Sequence, residues 1–189
     1  MNKYKALANI YKFIIAGEES LKNENYYSAM AIALLLPGMC ARIEFCGNKN
    51  YYSFDKSNEM RYKDKLAYID FCKTCFGMCG LVQSILGSEF ADLLYSIRCN
   101  LVHEGKIEGS YTVGKSGTPV MLLLSNDCIS KVGNYKVQIK MEDICKEVLV
   151  YVQCWFMNNV SFAPGYYYSI VNYKFQSYKR YAINEQLRW

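Results

Sequence analysis

Between Ser88 and Gly105 the apolar residues Phe90, Leu94, Ile97 and Leu101 recur at intervals of three and four. That spacing puts them on one stripe of an α-helix. Ser88 suits an N-cap, and Gly105 suits the left-handed residue that ends a helix. A helix with one apolar stripe must bury it against other elements, so a chain made of such helices folds in packed layers. Upstream, Leu7, Ile10, Tyr11, Ile14 and Ile15 predict a helix over 3–16, followed by a polar break from Gly17 to Asn25. Met30, Leu34, Met39, Ile43 and Cys46 mark the inward side of a long apolar helix over 26–46. Pro37 should kink or split it, because proline lacks a donor and clashes one turn back. Residues 47–58 are polar and read as a loop, and 59–76 read as helix. Gly77, Gly80 and Gly87 punctuate the approach to Ser88.

After Gly105 the period changes from helical to alternating. Tyr111-Thr112-Val113 and Val120 to Leu124 have strand character, separated by Gly114-Lys115-Ser116-Gly117. Val132 to Tyr135 reads as a tight turn, with Val137 and Ile139 alternating behind it. Helix resumes near Glu142, with Ile144, Val148, Val152 and Trp155 on one face. The expected architecture is therefore mainly α: one domain over 1–189 with four to six helices. It carries a small β-hairpin or meander near 111–140, within an insertion of about 106–140, and an aromatic-rich segment over about 164–189.

A length of 189 residues allows a sizeable core, and 52% hydrophobic against 21% charged residues describes a folded, soluble chain. A formal charge of +5 permits a nucleic-acid partner without demanding one. Nine cysteines, an odd number without a secretory leader before them, point to a reducing cytoplasm and not to a disulfide framework. The apolar run from Ala29 to Ala41 is short for a bilayer and contains Pro37-Gly38, so no membrane partner is expected.

The chemistry concentrates at Arg98-Cys99-Asn100-Leu101-Val102-His103, which holds the only histidine of the chain. Arginine's planar fork suits two phosphate oxygens, and histidine moves protons near neutral pH. Against RNA, such a histidine can take the 2′-OH proton or supply one to the 5′ leaving oxygen. On a regular helix, however, Arg98 and His103 stand about 140° apart. Two circumstances would bring such groups into one cleft. Either the last turn opens before Gly105, or a second subunit packs its equivalent helix alongside. The same residues also have a bland reading, since a lone arginine and histidine flanking an apolar stripe are common on helices.

The stretch from Ile97 to Gly105 resembles the signature of the HEPN superfamily. That signature is an arginine, a polar residue at or near the next position, and a histidine after four to six intervening residues, close to a helix end. The resemblance is anchored by about ten residues and supported by the helical order over roughly 30–155. It implies an all-α, dimeric, cofactor-free and metal-independent endoribonuclease, of the kind found in toxin–antitoxin and antiviral defence systems. Arg98, Asn100 and His103 would then be catalytic, in a site shared across a homodimer, and an antitoxin or other protein partner is possible. One departure stands out: Cys99 follows the arginine directly, and Asn100 comes one position later than the polar residue often does. Many members of the superfamily bind without cutting, so a silent RNA-binding or protein-interaction module is the alternative.

Cys72, Cys75 and Cys79 invite a metal reading, but they have no histidine nearby and sit at core-type helical spacing. A nucleophilic Cys99 lacks a neighbouring acid or amide to complete a triad. In the tail, Lys174, Lys179 and Arg180 lie among tyrosines, a mixture that can stack bases and hold phosphates. Such segments also serve as packed helices or subunit contacts. The chain has no Walker loop, no Rossmann glycine pattern and no zinc-finger spacing.

Overall fold

The computed structural model describes residues 3–54, 59–76, 82, 86–107, 109–113, 118–123 and 137–160. Among them the chain is mainly helical with two small sheets. The helices are α1 (Lys3–Lys22), α2 (Tyr26–Glu44), α3 (Asp64–Cys75), α4 (Glu89–Glu104) and α5 (Met141–Val160). A one-turn 3-10 helix, Lys49–Tyr51, leads into the antiparallel pair β1 (Tyr52–Phe54) and β2 (Met60–Tyr62). The second sheet has the order β3 (Gly109–Val113), β4 (Thr118–Leu123), β5 (Val137–Lys140). Contacts group the chain into two compact units, Met1–Gln153 and Cys154–Trp189. Of the second, only the last turns of α5 are described, and there Asn159 donates to the Trp155 carbonyl at 3.2 Å.

The core of the first unit is built from the expected stripes. Ile10, Ile14, Met30, Leu34, Phe90, Leu94, Ile97, Ile144, Val148 and Val152 are all essentially fully buried. At about 25 cal/mol per Å² of apolar surface removed from water, this burial is the main drive to fold. Several boundaries differ from the expectation. Residue 17 does not end α1, which runs on to Lys22. Gly17 instead allows close packing: a Cβ there would come within 2.9 Å of a Leu149 methyl and 3.2 Å of an Ile32 methyl. Helix α2 starts where Asn25 accepts a hydrogen bond from the Ser28 amide at 3.2 Å, and it runs unbroken past Pro37. Its 19 residues exceed the apolar run read from the sequence and are long and apolar enough to cross a membrane. Half of that stretch is buried inside the fold.

The loop expected over 47–58 contains β1, and the first residues of the helix expected over 59–76 form β2. Tyr52 faces Tyr62 across this pair, and their rings meet edge to face at 5.3 Å. Tyr51 donates a hydrogen bond to Asp70 at 3.2 Å, which fastens the hairpin to α3. Two apolar residues per three-residue strand are too few to stand out against a polar background. In the second sheet, β3 and β4 form the expected hairpin. The meander is not formed, because β5 pairs with β4 in parallel, Val120 with Val137 and Leu122 with Ile139. A parallel return needs a crossover of about a dozen residues, and 124–136 provide the length. The turn expected at Val132 to Tyr135 and the aromatic tail over 164–189 lie outside the described residues.

Candidate functional site

Helix α4 positions the site. Ser88, expected to cap it, already has helical backbone angles and makes no side-chain cap bond. The helix is instead entered by a tight turn in which the Phe90 amide donates to the Gly87 carbonyl at 3.3 Å, with Gly87 at φ +56°. At the other end, Gly105 is left-handed (φ +66°) and its amide donates to the Leu101 carbonyl at 3.0 Å. The helix therefore stays regular through Glu104, and the last turn does not open. Arg98 and His103 keep their separation of about 140° around the axis and about 7.5 Å along it. One subunit does not bring them onto one face.

The two flanks of α4 have different surroundings. On the α3 side, Arg98 Nη2 donates to Asp64 Oδ2 at 2.8 Å, with side-chain exposures of 22% and 29%. Its guanidinium lies 5.6 Å from the centre of the Tyr68 ring and 5.5 Å from that of Tyr95. The rings meet edge to face at 5.5 Å, and the buried Tyr68 hydroxyl donates to the Leu34 carbonyl at 3.1 Å. Burial pushes the Tyr68 hydroxyl well above the usual phenol range and raises Tyr95 too, so both rings stay neutral and keep their electron-rich faces for the cation. Arg98 Nε is buried and makes no hydrogen bond among the described residues.

A second arginine shares the carboxylate. Arg42, in the last turn of α2, brings Nη2 to 3.7 Å from Asp64 Oδ1. Its guanidinium lies 5.5 Å from the centre of the Tyr62 ring. Burial pushes the Tyr62 hydroxyl up to about 12. Lys65 Nζ lies 5.6 Å from the Tyr95 ring centre. Beside this cluster an open groove of about 510 Å³ runs along α3, where Asp64, Asp70 and Asp92 alternate with Lys63, Lys65 and Lys73.

No protein-family model, curated protein or solved structure matches this chain.

On the opposite flank, Asn100 lies toward Tyr111 of β3, close enough for its side chain to offset part of the rise that burial gives the phenol pKa. The Tyr111 hydroxyl donates to the Ile107 carbonyl at 2.6 Å. Tyr111 is 5% exposed, and burial raises its pKa. Asn100 thus belongs to the joint between α4 and the second sheet. His103 stands exposed in the last turn, after the exposed Val102.

Arg98, Asn100 and His103 are thus distributed around one helix and not gathered in one pocket. Sequence reading missed Arg42, Asp64, Tyr62 and Tyr68. The only local sign was the Lys63-Asp64-Lys65 alternation at a helix start, which reads equally well as a solvated first turn. Cys72 is buried and Cys75 half-buried. Burial pushes the Cys72 thiol well up and the Cys75 thiol to about 11. Cys79, Lys174, Lys179 and Arg180 lie outside the described residues.

Proposed function

We propose that the chain is a metal-independent endoribonuclease of HEPN type, working as a homodimer in the cytoplasm within a toxin–antitoxin or antiviral defence system. The observation that carries this reading is the geometry of α4: an arginine in an aromatic and acidic setting, and an exposed histidine in the final turn, on a helix that ends at a left-handed glycine. Their angular separation argues for a site completed by the equivalent helix of a second subunit. In such a site His103 accepts the 2′-OH proton as that oxygen attacks phosphorus. The bond from phosphorus to the 5′ oxygen breaks, and a proton from solvent neutralises the leaving oxygen, so that one Arg98 and one His103 make up each site. Arg98 holds the charge on the non-bridging oxygens. Asn100 acts as a positioning residue, fixing the end of α4 through Tyr111. The products are a 2′,3′-cyclic phosphate and a 5′-OH.

The second reading is a catalytically silent module that binds RNA or an antitoxin. It is favoured by one observation, the ion pair that already engages Arg98 within its own subunit. Purified protein incubated with mixed RNA in EDTA, beside His103→Ala, decides between them. Cleavage leaving cyclic phosphate ends, lost with His103, supports the enzyme. Cleavage that requires magnesium or survives His103→Ala overturns it, and intact RNA throughout favours the module.

A further inference from the structure

Asp64 divides its two oxygens between two arginines: Oδ2 takes Arg98 at 2.8 Å and Oδ1 faces Arg42 at 3.7 Å. Each non-bridging oxygen of a phosphodiester would meet the same pair. The arrangement has more donor capacity than one carboxylate uses. The Arg42 contact is long, Arg42 is 61% exposed, and the buried Arg98 Nε has no hydrogen-bond partner among the described residues. Both guanidiniums are also held independently of Asp64, by the ring of Tyr62 on one side and by Tyr68 and Tyr95 on the other. If the carboxylate swings aside, the arginines remain in place, so little ordering entropy is lost when another anion takes the position. Lys65 Nζ, 5.6 Å from the Tyr95 ring centre, brings a further cation to the ring that holds Arg98. Farther along α3, charges of both signs alternate and offer an anion no such excess.

We propose that Arg42 and Arg98 form a two-arginine clamp for an RNA phosphodiester, in which Asp64 is the internal occupant that the phosphate displaces. This builds on the ribonuclease reading in taking RNA as the ligand. It adds Arg42 as a phosphate-binding residue from a different helix and makes Asp64 a competitor that lowers affinity for weakly held strands.

The test measures binding of a labelled single-stranded RNA by anisotropy across a salt series. It uses the full chain carrying His103→Ala, so that the strand is not cut. Removing the competing charge with Asp64→Asn should tighten binding about tenfold, as expected for freeing a charge-assisted donor pair. Arg42→Gln should weaken it about tenfold and flatten the log–log salt dependence by about 0.7, one phosphate contact on a single strand. Asp92→Asn removes the same charge from the same groove and should stay within about twofold, since among the described residues the ion pairs of Arg42 and Arg98 are with Asp64. Equal tightening by Asp64→Asn and Asp92→Asn, an unchanged Arg42→Gln, or no RNA binding by any variant overturns the clamp. If Asp64→Asn fails to fold, the exposed Arg42 decides alone. Cleavage by the chain with His103 intact is scored separately. Cutting without these affinity changes sinks the clamp and spares the nuclease, whereas the affinity changes without cutting do the reverse.

Discussion

On the α3 side of α4, Arg98 is fixed by a carboxylate and two aromatic rings. On the β3 side Asn100 lies toward Tyr111, and one turn beyond it His103 stands in solvent with its backbone held only by the end of the helix. A half-buried cation with several partners carries part of the packing between α3 and α4. An exposed histidine in a last turn carries almost none. Two residues five positions apart in one motif therefore differ in what their removal reports. Loss of Arg98 mixes chemistry with stability, and loss of His103 isolates chemistry. On this geometry a substitution at His103 should leave stability unchanged, and one at Arg98 should lower it.

The largest combined effect is expected from Arg98→Ala. Cleavage should fall by about a hundredfold or more, as for other charge-stabilising donors. Stability should fall by about 2 kcal/mol, because Asp64 loses its close partner and the rings lose their cation. For a chain of this size that lowers Tm by roughly 6 °C. A Tm equal to that of the unmodified protein would remove the contrast between the flanks. His103→Ala should cost a similar factor in rate, about a hundredfold, with Tm shifted by no more than roughly 2 °C. A large drop in Tm would show a structural duty at the helix end that its exposure does not suggest.

Mixing the two inactive variants sharpens the comparison further. A heterodimer of Arg98→Ala and His103→Ala subunits contains one intact pair if the site is shared between chains. Random assortment at equal concentrations should then restore about a quarter of the original activity. No recovery after subunit exchange, verified by mass, would place both groups in one chain or dismiss the dimeric site. Sedimentation should show a dimer at micromolar concentration, and a monomer would remove the shared site outright.

The smallest effect is expected at the sheet joint. Asn100→Ala should cost no more than about 1 kcal/mol through the lost polar contact with the Tyr111 hydroxyl. Tyr111→Phe should cost about as much, with cleavage changed less than about threefold because Asn100 acts through the helix end and not on the phosphate. A hundredfold loss of rate from Asn100→Ala at normal stability would move Asn100 into contact with the RNA.

Much of the helical layout is legible from residue order. The stripes of α1, α4 and α5 are long and regular, so their buried members could be named before any packing was known. Gly105 ends α4 for a local reason, its left-handed backbone. Elements whose signal is short or whose glycine serves a neighbour were not legible. Gly17 looks like a helix break along the chain, and only the Leu149 and Ile32 methyls lying against it show why the helix continues. The β1–β2 pair offers too few residues for a period. The direction of β5 depends on a crossover that alternation cannot specify, since alternation is the same in parallel and antiparallel strands.

The sequence by itself determined the helical stripes, the β3–β4 hairpin and the placement of Arg98 and His103 near the end of one helix. Those follow from local backbone preference and from the 3.6-residue period, which act over a few turns. Only the tertiary structure decided what each flank of that helix meets. It set Asp64 and Arg42, which lie 34 and 56 residues before Arg98 in the numbering, beside its guanidinium, and it turned Asn100 toward Tyr111. Such encounters depend on how α2, α3 and β3 dock against α4. Docking is set by the summed burial of many apolar residues and not by any signal next to the charged ones.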